Sequence, residues 1–208
     1  PLFMHSVDKA LESRLFKSII IVSNVPLKNI RNRSIKIIKG GKERYQSSQN
    51  AINFLKNKKI KNVFVHDAAR PNFSIKLLKR LYSNLKNNKA VVPFLKTEDS
   101  SKYKVRNKFQ NLARDNLLFT QTPQCFDFKT LHKLYKSNKE KVTDEASIFL
   151  NNNYKVKFIK GEKNNFKITT NSDLKKINFK NFYGIGFDIH RLIRDKKLYL
   201  GGIKIPFH

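Results

Sequence analysis

Val63-Phe64-Val65-His66-Asp67-Ala68-Ala69-Arg70-Pro71 is an apolar run that stops at an acid and then reaches a guanidinium. Three consecutive β-branched or aromatic residues without polar interruption read as a strand covered on both faces by helices. Asp67 then falls at the strand's carboxyl end. In open α/β sheets that edge is where ligands bind, and a carboxylate there can hold Mg²⁺ while an Arg beside it takes a phosphate. The same letters also describe a strand closed by an Asx turn that caps the next helix, and spacing alone does not separate the two.

The segments on either side fit an α/β sheet. Upstream, Phe3, Val7, Ala10 and Leu11 share one helical face, and Ile19–Val22 and Ile35–Ile38 read as buried strands of a parallel sheet. Gly40 and Gly41 close the second strand and open a helix carrying Ser47 and Ser48; Ala51, Ile52, Phe54 and Leu55 are its expected buried face. Two glycines at such a turn let backbone N–H groups approach an anion, although a plain glycine turn looks the same. Downstream, Ile75, Leu78, Leu81 and Leu85 recur at helical spacing before the strand Ala90–Pro93, which makes a βαβ unit.

Residues 94 to 112 lose that periodicity and alternate only at Tyr103, Val105 and Phe109, the pattern of a two-stranded arm suited to dimerisation or of a surface loop. Thr120 to Phe126 is polar and contains Pro123, so it is expected to form an ordered loop rather than a central strand. Thr143 is read as the N-cap of the next helix, with Asp144 and Glu145 complementing its dipole. Val156–Ile159 and Asn164–Thr170 are read as further strands, the latter ending in a cap for a short helix near Leu174 and Ile177.

Composition bounds the function. The 208 residues hold 44 Lys+Arg against 15 Asp+Glu, a net charge of +29. A basic nucleic-acid-binding protein would account for that charge, but it predicts clustered cations with interleaved exposed aromatics. Here the lysines are spread over nearly every segment among Asn, Ile and Phe, as AT-rich codon drift would leave them, and the preferred reading is an enzyme whose positive field attracts phosphorylated substrates. Cys125 is alone, so no internal disulfide can form, and no signal peptide or membrane-spanning apolar run is present. A cytoplasmic protein without membrane partners is expected.

In order, GGKER, VHDAARP, TQTPQ, TDEAS and NFKITT resemble the 2-C-methyl-D-erythritol 4-phosphate cytidylyltransferase family over about residues 1 to 180. The resemblance implies a Rossmann-like nucleotidyltransferase sheet with helices on both faces and a protruding β-arm. It implies transfer of CMP from CTP to methylerythritol phosphate with release of pyrophosphate, in the non-mevalonate route to isoprenoid precursors. Asp67 matches the family's Mg²⁺ ligand; Gly41 and Ser47 match cytidine contacts, and Ala68 a backbone contact to the nucleotide. Arg70, Arg114, Thr122, Thr143 and Lys167 match residues around the sugar phosphate, with Arg114 and Lys167 holding the attacking phosphate. Thr97 stands at a substrate-binding position in the arm, where the usual preceding Asp is Lys96. A pentitol-phosphate cytidylyltransferase would share the nucleotide side.

After Lys180 a second pattern begins. GIGFDIHRL followed by LYLGGIKIP is similar to the N-terminus of 2-C-methyl-D-erythritol 2,4-cyclodiphosphate synthase, and the second stretch reads as a hairpin with a Gly-Gly turn. Asp188 and His190 alternate along a strand and could give two ligands to an ion, though a surface hydrogen-bonded pair has the same spacing. The resemblance implies that they bind Zn²⁺ or another divalent metal, with a third ligand beyond His208. Two families in one frame imply a bifunctional fusion enzyme truncated at both ends, with residues 1–180 and 181–208 as its parts. A dimer through the arm and a trimer through the synthase part would follow. The family's N-terminal Gly-rich loop, which cradles the triphosphate, has no counterpart, so the 208 residues alone are expected not to turn over CTP. The other histidines receive no role: His5 and His132 read as half-exposed on helices, and His66 as packing rather than reacting.

Overall fold

The computed structural model describes residues 1–28, 30–138, 141–177, 197–200 and 203–206. The chain divides into two compact units, Pro1–Ile177 and Asn178–His208. In the first, the elements are α1 (Leu2–Ser13), β1 (Ile19–Ser23), β2 (Ile35–Lys39), α2 (Arg44–Leu55), β3 (Asn62–Val65), α3 (Ile75–Leu85) and β4 (Ala90–Leu95). These are followed by β5 (Ser101–Val105), β6 (Lys108–Leu112), a 3-10 turn at Arg114–Asn116, β7 (Phe119–Thr120) and β8 (Gln124–Asp127). Then come α4 (Phe128–Ser137), α5 (Glu145–Asn151), β9 (Lys157–Lys160) and α6 (Asn171–Leu174). In the second unit β10 (Leu198–Leu200) and β11 (Ile203–Ile205) pair antiparallel, the two strands of the expected hairpin. Asp188 and His190 lie outside the described residues.

Strand alternation builds two cores, one on each face of the main sheet. On β4 and β8, Ala90, Val92 and Phe126 point to one side, where Ile52, Leu55, Leu131, Leu134, Phe149 and others bring in α2, α4 and α5. Val91 and Cys125 point to the other side, against Leu77, Leu78, Leu81 and Leu85 of α3. Helices therefore cover both faces, and β3 is sandwiched as its apolar run requires. Of the expected α2 face, Ile52 and Leu55 are buried while Phe54 remains 41% exposed, its ring covered instead by the Lys58 ammonium.

The sheet is mixed rather than parallel. Its order is β3-β8-β4-β7, with β9 joining β4 in parallel, while β1 and β2 pair parallel in a separate ladder. Gln124–Phe126, expected to be loop, belongs to β8, the strand between β3 and β4 and antiparallel to both. Pro123 costs this ladder nothing because it precedes the first paired residue. The polar Gln124 is accommodated at the centre because its amide donates to Asp144 Oδ2 at 2.8 Å and accepts from the Ala146 amide at 3.3 Å. Pro93 is tolerated in β4 because it sits where the neighbour changes from β8 to β7, and its carbonyl accepts from the Gln121 amide at 2.8 Å.

Two other expectations are corrected. Asn164–Thr170 is not a strand: it touches the loop after β3 through one backbone–backbone bond, Ile168 to the Ala69 carbonyl at 2.8 Å, and is anchored further by side chains, buried Asn165 among them. The cap at its end is present, a reciprocal Thr170–Asp173 box on α6. The N-cap of α5 is Asp144, whose carboxylate accepts from the Ser147 amide, and not Thr143, which is exposed. The β5–β6 arm is formed as expected, with Tyr103 54% and Phe109 69% exposed.

Candidate functional site

The β3–β8 ladder ends at Val65–Gln124, and the chain leaves the sheet in a turn closed by the Arg70 amide donating to the Asp67 carbonyl at 2.9 Å. Three cations converge on the Asp67 carboxylate. Arg44 Nε donates to Oδ1 at 2.9 Å, while Lys167 Nζ lies 3.3 Å and Arg70 Nε 3.9 Å from Oδ2. Burial alone would raise the Asp67 carboxyl, but the hydrogen bond and charge of Arg44, joined by Lys167, hold it below the usual carboxylate range.

Arg44 is the residue the sequence reading overlooked. It opens α2, and its fork turns away from Asp67 to place Nη1 and Nη2 at 3.1 and 2.9 Å from the two oxygens of Glu145. Glu145 is fully buried, with Oε1 also accepting from the Tyr135 hydroxyl at 2.9 Å. It is thus a core counter-charge, not the solvated dipole complement expected from its place at a helix start. Burial and the Glu145 charge push the Tyr135 hydroxyl far up, so it stays a donor. Burial alone would push the Arg44 guanidinium down, yet the Glu145 and Asp67 carboxylates more than offset this and hold it above its ordinary value.

The glycine turn places Arg44. Gly41 has no room for a side chain, since a Cβ there would stand 2.2 Å from Gln46 Cβ. Its amide donates to Ser47 Oγ at 3.1 Å, and the Lys42 and Glu43 amides both donate to Gln46 Oε1. The Gly41, Lys42 and Glu43 N–H groups are therefore occupied by the segment's own side chains, which favours the plain glycine turn of the two readings the sequence left open.

Behind Asp67 lies a second polar layer. Thr122, 4% exposed, accepts from the Asp67 amide through Oγ1 at 2.9 Å and stands 3.1 Å from His66 Nδ1. His66 Nε2 lies 3.0 Å from the Arg70 carbonyl, so that nitrogen carries the proton and Nδ1 accepts from the Thr122 hydroxyl. His66 thereby ties the far end of the turn to Thr122, just ahead of β8. Asn165 Nδ2 donates to the Thr122 carbonyl at 2.8 Å, and its own carbonyl accepts from Arg70 Nη1 at 2.9 Å.

Burial pushes the His66 imidazole down to about 4, against an ordinary 6.5. Between these values the unfolded chain takes up a proton that the folded one refuses, so stability is complete above pH 6.5 and is lost as pH falls toward 4. The loss amounts to about 3 kcal/mol. Urea denaturation across this range should show it, and His66→Gln should remove that share of the slope; a variant with the parent's full slope would exclude His66 as its source.

Of the residues singled out by sequence, the structure gathers Asp67, Arg70, Thr122 and Lys167, with exposed Ala68 next in sequence, while Gly41 and Ser47 lie on the turn and helix that carry Arg44. A cavity of about 520 Å³ opens alongside, with Arg70, Lys163 and Lys167 on its charged side and Leu118, Phe119 and Phe166 on its apolar side. Arg114 and Thr97 stand apart on the arm's base. Arg114 Nη1 donates to the Glu98 carbonyl at 2.8 Å, and Thr97 Oγ1 accepts from the Asp99 amide at 3.0 Å. Thr143 is exposed ahead of α5.

The donor set decides which ion can fit. Among the described residues no three His, Cys, Asp or Glu side chains cluster for metal binding. A single carboxylate suits Mg²⁺, which keeps several waters and takes its remaining oxygens from substrate phosphates, and does not suit structural Zn²⁺.

The family model for 2-C-methyl-D-erythritol 4-phosphate cytidylyltransferase matches residues 1–180. The bifunctional enzyme IspD/IspF of Pelagibacter ubique is 49% identical over 210 residues, covering 99% of this chain and 56% of that protein. The 2-C-methyl-D-erythritol 4-phosphate cytidylyltransferase of Thermosipho melanesiensis is 36% identical over 196 residues, covering 88% of this chain and 86% of that one. The solved bifunctional IspDF of Campylobacter jejuni superposes with a TM-score of 0.74 at 30% identity, covering 99% of this chain and 55% of the other. The chain spans about half the length of the bifunctional relatives it matches.

Proposed function

Because the chain belongs to the 2-C-methyl-D-erythritol 4-phosphate cytidylyltransferase family, we propose that it transfers CMP from CTP to 2-C-methyl-D-erythritol 4-phosphate and releases pyrophosphate, a step of isoprenoid precursor synthesis by the non-mevalonate pathway. The observation that carries this reading is the single carboxylate of Asp67 at the end of β3, ringed by Arg44, Arg70 and Lys167 beside a basic cavity.

A phosphate oxygen of the sugar attacks the α-phosphorus in line; the new P–O bond forms as the bond to the bridging oxygen breaks, and pyrophosphate leaves with that electron pair. Asp67 would hold Mg²⁺, which when bound neutralises phosphate charge and aligns the triphosphate. Lys167 and Arg70, with Arg114 from the arm, fix the attacking dianion without consuming it, and a fork and a point charge together set its direction. Gly41, Ser47 and the Ala68 backbone meet the cytidine, and Thr97, Thr122 and Thr143 complete the sugar-phosphate side. Buried Thr122 acts there through Asp67, whose amide its hydroxyl holds.

The second unit is the start of a cyclodiphosphate synthase domain, from about residue 181, in which Asp188 and His190 hold Zn²⁺ or another divalent ion with a ligand from elsewhere in the full-length protein. Supporting this, bifunctional relatives run through the whole chain. In that protein the second reaction cyclises 2-phosphorylated CDP-methylerythritol to the 2,4-cyclodiphosphate with loss of CMP. The arm's exposed Tyr103, Val105 and Leu112 lie on one face of its hairpin and suit a dimer contact, and the synthase part a trimer. No helix among the described residues is long and apolar enough to cross a membrane; a cytoplasmic enzyme, without nucleic acid as partner, completes the reading.

The test is pyrophosphate release by the full-length protein from CTP, Mg²⁺ and methylerythritol phosphate, run beside a pentitol phosphate. Release with methylerythritol phosphate alone is expected. Preference for the pentitol phosphate would reassign the substrate, and release from neither would sink the cytidylyltransferase reading.

A further inference from the structure

We infer that Arg44 and Glu145 form a positioning strut, anchored in the core, that holds one oxygen of Asp67 and leaves the other free to face the cation and phosphates. This rests on the proposed cytidylyl transfer, in which Asp67 anchors the divalent ion.

The two oxygens of Asp67 are treated differently. Oδ1 is fixed by Arg44 Nε at 2.9 Å, whereas Oδ2 faces only the longer contacts, Lys167 at 3.3 Å and Arg70 at 3.9 Å. Lys167 is 44% exposed and free to follow a ligand; Arg44 is not free in that sense, because both its terminal nitrogens are engaged by Glu145. Glu145 is itself immobilised at 0% exposure by Tyr135, whose ring lies in the core with 2% exposure and packs on Tyr45 at 5.4 Å. A chain of fixed groups thus runs from the hydrophobic core through Tyr135, Glu145 and Arg44 to one carboxylate oxygen.

Only a planar fork can do this. Arg44 spends its Nε edge on one acid and its Nη pair on another, a division that a lysine ammonium cannot reproduce. If neutralising Glu145 were the sole purpose, Nε would not need to end on Asp67. Groups that orient a metal ligand through one hydrogen bond typically change metal affinity or turnover by about 10- to 100-fold when removed.

The test uses Mn²⁺ as a paramagnetic probe, with its free concentration followed by electron paramagnetic resonance in the full-length protein with CTP. Arg44→Lys and Glu145→Gln are compared with the parent, and Asp67→Asn serves as control. Glu145→Gln keeps volume and an acceptor for Tyr135, so it reports even if Arg44→Lys folds poorly. The strut predicts that Arg44→Lys weakens Mn²⁺ binding about tenfold and lowers kcat while KM for CTP moves little, with Glu145→Gln displaced in the same direction. Weakening beyond about threefold in either folded variant supports the inference, and a smaller change in both overturns it. A purely structural pair would lower the melting temperature and leave Mn²⁺ affinity alone. If the parent binds Mn²⁺ through Asp67 yet releases no pyrophosphate, the proposed reaction fails while the strut stands.

Discussion

Asp67→Asn is expected to lower cytidylyl transfer by about 10³-fold, equivalent to about 4 kcal/mol of transition-state stabilisation, with the protein still folded. The substitution keeps the shape and the Thr122 contact to the backbone amide, and it removes only the negative charge. Asn can still accept from Arg44 Nε, but it no longer offers a charged oxygen to a divalent ion, and Lys167 and Arg70 lose the carboxylate that they share. Lys167 is 44% exposed and can turn to solvent, and Arg44 keeps Glu145 as its counter-charge, so the fold should survive. Steady-state pyrophosphate release, with far-ultraviolet circular dichroism as the folding control, checks this. A variant that keeps more than about a tenth of the parent rate would show that Asp67 does not carry the charge-neutralising role.

The sequence announced this site because its chemistry sits at a break in pattern. Val63 to Val65 had to be a covered strand, and the acid after it had to emerge at the sheet's edge; both follow from local apolarity. The central place of β8 was not legible in the same way. Gln124 reads as a loop residue until Asp144 and the Ala146 amide are known to meet it, and those partners are 20 and 22 residues away. Glu145 misled for a related reason, since an acid at the start of a helix has a sufficient local explanation in the dipole. Its true partner, Arg44, is 101 residues earlier, and nothing in the intervening spacing links them. His66 read as a packing residue because its roles as donor to the Arg70 carbonyl and acceptor from Thr122 depend on a turn that only the folded chain closes. Residues that act through others are hidden from a linear reading in a way that residues at strand ends are not.

The same long-range pair yields the largest expected effect on stability. Arg44→Met should cost about 3–5 kcal/mol, because it leaves the Glu145 carboxylate fully buried with only the Tyr135 hydroxyl for company. The size does not imply that the ion pair is a strong net stabiliser. Bringing both charges out of water opposes their attraction, and the penalty appears when one partner is removed and the other stays. A double variant, Arg44→Met with Glu145→Leu, should therefore recover a large part of the loss, although the Tyr135 hydroxyl then loses its carboxylate acceptor and keeps only Ser48, at a cost of about 1–3 kcal/mol. At this chain length a loss of 3 kcal/mol corresponds to a melting temperature lower by about 10 °C, so calorimetry and urea titration of the single and double variants can resolve the pattern. Equal destabilisation in both would mean that the Arg44 side chain contributes mainly by packing its stem. Recovery in the double variant without recovery of pyrophosphate release would separate the two duties of Arg44: neutralising a buried acid, which an apolar pair can replace, and fixing Asp67 Oδ1, which it cannot.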